Sequence, residues 1–257
     1  MFDVDGVITE PFSKRINPAI INFIAAKLDA NIPISVYTGR SYDFVDTRVV
    51  QLLKRSVSAL TKLDNLVISS EVGMHNVTFR SGTPVEHIDK TYNIPDTLKK
   101  TVANLTKGTS GIFIDPTKQC MMTIESEGGS DTNELDKQHT TLNSLEKSLG
   151  KILQNYPSLY LLRHVISLDI LDKRASKKLS ARFFVNFLKN RKSDNRNYII
   201  FGDSTSDMAA SDELNDQGYP VRFVYVGKGD TPTAAYAVYT IPGVYFDEAT
   251  VQVLERF

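Results

Sequence analysis

Short apolar runs alternate with amphipathic stretches over the first third of the chain. The segment from Ile32 to Tyr37 is apolar and β-branched, and a similar run spans Leu66 to Ser70, as expected for buried strands. Apolar residues recur with a helical period after Asn17-Pro18 and again after Ser41. This alternation of strand and helix predicts a parallel sheet with helices on its faces.

The middle of the chain has a different order of elements. After residue 85 the pattern predicts a helix, two strands, a second helix and two further strands, with a polar connector at 127–131. The first pattern then returns, with a buried strand at 198–201. We therefore predict an α/β protein with a doubly wound, Rossmann-like parallel-sheet core at residues 1–85 and 168–257. A smaller α/β cap domain is inserted at 86–167.

Composition narrows the classes of function. Thirty basic and thirty acidic side chains cancel among 257 residues, so the chain has no general field that would attract nucleic acid or an anionic membrane. The single cysteine, Cys120, cannot form an internal disulfide. We find no apolar run of about 18 residues and no basic-then-apolar leader. We expect a cytoplasmic monomer or small homo-oligomer that binds neither nucleic acid nor membrane.

Polar residues follow the predicted strands. Asp3 and Asp5 stand two positions apart near the start of the chain, and Gly6 permits a sharp turn after them. If a strand leads into this acidic pair, most of it lies before Met1, so we expect a fragment or a misassigned start. The polar residues after later strands are Thr38, Gly39, Arg40, Asp203 and Asp207.

Strand ends of this kind predict a binding site, because ligands of an open parallel sheet bind at the carboxyl ends of its strands. Carboxylate oxygens suit Mg²⁺, and the cations and hydroxyl or amide donors suit a phosphoryl group. A basic stretch, Lys173 to Lys178, precedes the strand at 198–201 and supplies a further cation. The sequence thus predicts a magnesium and phosphoryl site.

The order of these motifs resembles that of the haloacid dehalogenase-like superfamily. The four motifs are Asp3-Val4-Asp5-Gly6-Val7, Thr38-Gly39-Arg40, a later lysine, and Gly202-Asp203-x-x-x-Asp207. More narrowly, the chain resembles the sugar-phosphate phosphatases with an inserted α/β cap: the Cof-type, trehalose-phosphate and sucrose-phosphate phosphatases. Each motif alone is a weak signal, but four in order along the whole chain are specific.

The resemblance implies a magnesium-dependent phosphoric monoester hydrolase that acts on a small phosphorylated metabolite. We expect this metabolite to be a sugar phosphate. Asp3 would form an aspartyl-phosphate, and Asp5 would act as general acid and base. Thr38 would be catalytic and hold the phosphoryl oxygens together with the Gly39 amide. Gly6 and Arg40 are assigned to substrate binding, and the implied metal ligands are Asp3, Asp5, Asp203 and Asp207.

The motif lysine lacks the glycine that usually follows it, so several lysines fit the motif. Spacing to Ala181 favours Lys178, with Lys177 possible and Lys173 less so. The motif also has Ser206 where the superfamily often has asparagine.

Two other functions fit parts of the pattern. The opening motif also resembles that of the phosphomannomutase type of phosphomutase, although Thr38-Gly39-Arg40 argues against that group. The second alternative is a catalytically silent phospholigand-binding protein. All four acidic positions are intact, which argues against this alternative.

Overall fold

A computed structural model describes residues 1–10, 15–127, 132–192 and 197–256. The strands of the described residues are β1 (Phe2–Asp3), β2 (Ile34–Tyr37), β3 (Leu66–Ser70), β4 (His75–Arg80), β5 (Thr83–Ile88), β6 (Ile112–Ile114), β7 (Met122–Ser126), β8 (Leu159–Arg163), β9 (Ser167–Asp172), β10 (Tyr198–Gly202), β11 (Val221–Tyr225) and β12 (Ala237–Tyr239). The α-helices of the same residues are α1 (Pro18–Asp29), α2 (Tyr42–Val45), α3 (Gln51–Ser56), α4 (Asp96–Thr106), α5 (Thr132–Leu153), α6 (Lys178–Asn190), α7 (Met208–Asp216) and α8 (Phe246–Leu254). Shorter helical turns are Asp46–Val50, Leu60–Asn65, Glu71–Gly73 and Thr205–Asp207.

The chain divides into two compact units. Unit 1 comprises Met1–His87 and Ser176–Phe257, and unit 2 comprises Ile88–Ala175. Within the described ranges, unit 1 contains a mixed, mostly parallel eight-stranded sheet in the order β12-β11-β10-β1-β2-β3-β4-β5. The predicted α/β fold with a largely parallel core sheet is confirmed.

Strand β1 lies at the centre of this sheet. Phe2 is opposite Val36 of β2 on one side and opposite Phe201 of β10 on the other, in parallel register. Because the three strands run in the same direction, the residues that follow them leave the sheet at one common edge.

The far edge of the sheet differs from the prediction. β3 and β4 pair in antiparallel register, with Ile68 opposite Val77, and β5 follows as the edge strand. The sequence of β4 mixes His75, Asn76 and Thr78 with apolar residues, so it lacks the continuous apolar run that marks the parallel strands. Antiparallel pairing at an edge tolerates such a mixed sequence.

Helices cover both faces of the sheet. Buried residues of α1, α3 and α8 belong to one apolar cluster, and those of α6 and α7 belong to a second. The start of α1 shows why the sequence folds this way: the Asn17 side chain accepts a hydrogen bond from the Ala19 amide, and Pro18 occupies the first turn. Its apolar stripe, Ile20, Ile24 and Leu28, is fully buried.

Unit 2 is a four-stranded antiparallel sheet in the order β6-β7-β9-β8, whose apolar face shares a core with α4 and α5. β9 pairs with both β7 and β8, so this unit continues to Ala175, past residue 167 where the sequence placed the end of the insertion. Of the predicted connector 127–131, residues 128–131 lie outside the described residues. Across the described ranges, no helix has the length and apolar character needed to cross a membrane.

Candidate active site

Three carboxylates converge at the carboxyl edge of the unit 1 sheet. Asp3 ends β1, Asp203 directly follows β10, and Asp207 ends the short helical turn after it. One oxygen from each lies within 4.8 Å of the others. Asp3 and Asp207 are buried, and Asp203 is partly buried. We call these three residues the carboxylate cluster.

Local hydrogen bonds orient Asp207 within the cluster. The Ser204 hydroxyl donates to Asp207 Oδ2 at 2.8 Å, and the Ser204 amide donates to the same oxygen at 3.0 Å. These bonds satisfy one carboxylate oxygen and leave Oδ1 to face the cluster. The sequence Ser-x-x-Asp at the start of a helical turn favours this arrangement, because the side chains cap the free backbone donors.

Gly6 allows a close approach beside Asp203. It adopts a left-handed φ of +75°, and a Cβ atom at this position would overlap the Asp203 carboxylate. The turn after β1 can therefore pass against the cluster only because residue 6 has no side chain.

Among the residues that the structure describes, Lys177 is the cation that contacts the cluster. Its Nζ donates to Asp3 Oδ1 at 2.8 Å and also to Asp207 Oδ1. Its side chain is 12% exposed and lies directly before α6. The same Nζ is 5.3 Å from the centre of the Tyr37 ring, whose hydroxyl donates to the Phe201 carbonyl at 3.0 Å.

The structure brings Lys177 to Asp3, and not Lys178, which the spacing to Ala181 favours. Lys178 points to Asp216, with 4.0 Å between Nζ and Oδ2, and its side chain is 39% exposed. One step along a helix turns the side chain by roughly 100°, so neighbouring lysines face different directions. Lys177, kept as the alternative, is the residue that the fold brings to Asp3.

Electrostatics sets the character of the cluster. Burial raises the pKa of Asp3 well above its usual range; Lys177 lowers it, and the nearby carboxylates raise it again. Burial, followed by the charge of Asp207, raises the pKa of Asp203 to about 6. Burial lowers the pKa of Lys177, but Asp207 and Asp3 outweigh it and raise that pKa above its ordinary value. Three carboxylates thus share one ammonium group.

This negative excess fits a divalent cation. Carboxylate oxygens that lie this close repel one another unless protons or a metal neutralise them. Mg²⁺ prefers oxygen ligands and binds through one or a few carboxylates plus phosphate oxygens. Asp3, Asp203 and Asp207 therefore have the donor atoms and the charge that a magnesium site requires.

The remaining predicted residues lie in the segments that follow strands β1 and β2. Thr38 is buried directly after β2, where its Oγ1 accepts a hydrogen bond from the Arg40 amide at 3.1 Å. The Arg40 guanidinium contacts Asp5 at two points, with Nε 3.0 Å from Oδ2 and Nη2 3.0 Å from Oδ1. It also stacks over Phe44, 5.1 Å from the ring centre. Asp5, 43% exposed, is thus held by Arg40 beside the cluster.

Two features of the site were not anticipated. Tyr37, whose ring contacts the Lys177 ammonium, is the last residue of β2, and a hydroxyl at the end of that strand is the signal that could have indicated it. The turn Glu71–Gly73 donates backbone hydrogen bonds to the Thr38 and Arg40 carbonyls. A glycine three residues after an apolar strand is a weak signal for such a turn.

The chain has the haloacid dehalogenase-like fold, because solved structures of that fold match it. No protein-family model and no curated protein matches the sequence. Solved structures match over nearly the whole chain. The C-terminal domain of C. albicans trehalose-6-phosphate phosphatase is 16% identical, with a TM-score of 0.67 over 99% of this chain and 90% of that one.

Two further structures show the same fold. A haloacid dehalogenase-like hydrolase from Bacteroides thetaiotaomicron is 14% identical, with a TM-score of 0.65 over 99% of this chain and 97% of that one. The sucrose-phosphatase from Synechocystis sp. PCC6803, in complex with sucrose and phosphate, is 13% identical, with a TM-score of 0.57 over 99% and 95%. The predicted structural resemblance to trehalose- and sucrose-phosphate phosphatases is confirmed at the level of the fold.

Proposed function

We propose that this protein is a Mg²⁺-dependent phosphatase that hydrolyses a small phosphate monoester through an aspartyl-phosphate on Asp3. The observation that carries the proposal is the contact of Lys177 with both Asp3 and Asp207 inside the carboxylate cluster. The buried Lys177 ammonium lowers the pKa of Asp3 against the effect of burial and orients its carboxylate. A carboxylate nucleophile requires both an ionised and an oriented side chain.

In the first step, a carboxylate oxygen of Asp3 attacks phosphorus and the bond from phosphorus to the ester oxygen breaks. The departing alkoxide takes a proton from Asp5, so the alcohol leaves as a neutral molecule. Thr38 and the Gly39 amide bind the phosphoryl oxygens, and Lys177 offsets the charge that develops on them.

In the second step, water attacks the phosphorus of phospho-Asp3 and gives its proton to Asp5. The bond from phosphorus to Asp3 breaks, which releases inorganic phosphate and restores the carboxylate. Asp3, Asp203 and Asp207 would hold Mg²⁺, which would supply charge neutralisation for the transferring phosphoryl group.

Arg40 has a defined part in this scheme. Its planar guanidinium holds both oxygens of Asp5, which restricts the rotation of that side chain. The contact thereby fixes the orientation of Asp5, whose side chain is 43% exposed.

The proposed substrate class is a sugar phosphate. Two of the matched structures are named as phosphatases of trehalose-6-phosphate and of sucrose phosphate, and one contains sucrose and phosphate. The inserted unit 2 is proposed to form the cap that selects the leaving group. The fold hosts several chemistries, so a substrate panel must decide the ester.

The test is phosphate release from a panel of sugar phosphates, with Mg²⁺ and with a chelator. We expect release with Mg²⁺ from the parent protein and none from Asp3→Asn. Asp216→Asn is the matched control, because it makes the same chemical change at a carboxylate whose side chain is 66% exposed. Release from Asp3→Asn equal to that of the parent would refute the nucleophile assignment.

The same assay separates the two alternative functions. A phosphomutase would convert one sugar phosphate into another without free phosphate, which chromatography of the products detects. A silent binding protein would show a ligand-dependent rise in melting temperature without any turnover.

A further inference from the structure

The turn Glu71–Gly73 has an unusual backbone. Glu71, Val72 and Gly73 all have positive φ, at 50°, 53° and 92°. A β-branched residue such as Val72 is rarely found in this region, because its side chain crowds the backbone. Conformations of this cost persist where the surrounding structure holds them in place.

One set of contacts joins the turn to the phosphoryl-binding loop. The Val72 amide donates to the Thr38 carbonyl and the Glu71 amide donates to the Arg40 carbonyl, both at 2.9 Å. In a trans peptide the carbonyl and the following N–H point in opposite directions. The bond from Val72 to the Thr38 carbonyl therefore turns the Gly39 N–H away from the turn.

A second set of contacts joins the turn to the helix that presents Lys177. A Cβ atom on Gly73 would lie 2.5 Å from the Ser180 backbone nitrogen and 2.8 Å from Leu179 Cβ. Both residues are in the first turn of α6, directly after Lys177. Gly73 thus lets the turn lie against the start of α6 at a separation that no side chain would permit.

We propose that Gly73 is a positioning residue that sets the distance between the Thr38–Arg40 loop and Lys177. The inference rests on the phosphatase function proposed above. The left-handed turn contacts both the loop and the start of α6. Its Glu71 and Val72 amides donate hydrogen bonds to the Thr38–Arg40 loop, and Gly73 packs against α6. The Asn76 side chain stabilises this turn, because it donates a hydrogen bond to the Gly73 carbonyl at 2.7 Å.

The experiment compares Gly73→Ala with Gly82→Ala. Gly82 also has a positive φ, of 76°, and a Cβ there would lie 2.7 Å from Leu60 Cβ and 2.8 Å from the Leu60 carbonyl oxygen. Gly82 lies between β4 and β5 and contacts Leu60, the first residue of the helical turn before β3. Because β4 runs antiparallel to β3, Gly82 lies at the edge of the sheet opposite the carboxylate cluster. Both variants combine backbone strain with a clash, but only one touches α6.

Two quantities are measured for the parent and each variant at a temperature where all are folded. These are kcat for the best sugar phosphate and the dissociation constant of inorganic phosphate with Mg²⁺, by calorimetry. We expect Gly73→Ala to lower kcat by about tenfold or more, since small misplacements of reacting groups cost up to about a hundredfold. We expect it to weaken phosphate binding by a similar factor.

The control separates positioning from stability. Gly82→Ala should lower the melting temperature by several degrees, as Gly73→Ala does, with kcat and phosphate affinity within about twofold of the parent. Equal kcat and phosphate affinity in Gly73→Ala and the parent would overturn the inference. So would an equal loss of both in the two variants.

A milder variant covers the case in which Gly73→Ala does not fold. Asn76→Ala removes the hydrogen bond to the Gly73 carbonyl without adding an atom, and it should lower kcat in the same direction; unchanged kcat and phosphate affinity would overturn the inference. If the parent binds phosphate but hydrolyses no ester, the proposed function fails, and the phosphate comparison still decides the role of Gly73.

Discussion

Replacing Asp203 by asparagine should stabilise the metal-free protein at neutral pH and remove its response to Mg²⁺. Burial and the charge of Asp207 raise the pKa of Asp203 from 3.8 to about 6. A carboxyl group with a raised pKa in the folded state binds more protons there than in the unfolded chain. The free energy of unfolding therefore falls as pH rises from about 4 to about 6, and it stays lower above that window.

The size of this effect follows from the pKa. A rise of roughly two units corresponds to roughly 3 kcal/mol of lost stability above pH 6. Asparagine removes the charge but still places an amide in a partly buried position, so we expect it to recover about half, ~1.5 kcal/mol. For a protein of this size, that gain raises the melting temperature by roughly 3–6 °C.

Thermal unfolding in chelator at pH 8 and pH 4.5, and in Mg²⁺ at pH 8, tests the reasoning. The gain of Asp203→Asn over the parent should appear at pH 8 and largely vanish at pH 4.5, where the parent carboxyl is mostly protonated. Mg²⁺ should raise the melting temperature of the parent and of the control Asp216→Asn, but not of Asp203→Asn. A variant that melts below the parent at pH 8 in chelator, or keeps the full Mg²⁺ response, would show that Asp203 is not a repelled metal ligand.

Three further substitutions, two of them with a control variant, probe the site. Lys177→Ala should lower kcat roughly 10²–10³-fold, because a buried charge contact to the nucleophile is lost. Lys178→Ala should stay within about twofold, since an exposed ion pair contributes under about 1 kcal/mol; steady-state phosphate release measures both. Gly6→Ala should weaken Mg²⁺ binding at least tenfold, by about 1.4 kcal/mol or more, as its methyl group overlaps a metal-site carboxylate; calorimetric titration checks this. Arg40→Lys should lower kcat about tenfold, because an ammonium cannot make the two-point contact to the general acid, whereas Arg48→Lys should not.

Two of these predictions, for Lys177 and for Arg40, have a matched comparison in the chain. Equal activity of the two lysine variants would contradict the assignment of Lys177. Arg48 also lies over the Phe44 ring, at 6.0 Å, so it controls for loss of the cation–ring contact made by Arg40. Unaltered Mg²⁺ affinity in Gly6→Ala would show that the turn after β1 can move away from Asp203.

The core fold could be predicted because its signals are local. The runs at β2, β3 and β10 are apolar and β-branched, and each ends in polar residues, so both the strands and the binding edge are visible in the sequence. The antiparallel edge of the sheet was not predicted, because β4 and β5 mix polar with apolar residues and their pairing depends on the neighbouring β3.

The site could be predicted from the sequence except for residues whose role depends on the direction in which the side chain points. Sequence spacing cannot decide between Lys177 and Lys178, since one lies just before α6 and the other just inside it. The contact between Arg40 and Asp5 joins residues 35 positions apart, and its geometry is set by tertiary structure. The left-handed turn at Glu71–Gly73 has no marker before the glycine itself.

The bridging position of Lys177 has a consequence for ligand binding. One ammonium group contacts both Asp3 and Asp207, so a change of charge at either carboxylate alters what the other can bind. Coupling between two binding events is reciprocal in free energy. A phosphoryl ligand at Asp3 and a cation at Asp207 must therefore change each other's affinity by the same factor. If the protein binds phosphate and Mg²⁺ as proposed, the two ligands form a thermodynamically linked pair, and titrating either one reports on the other.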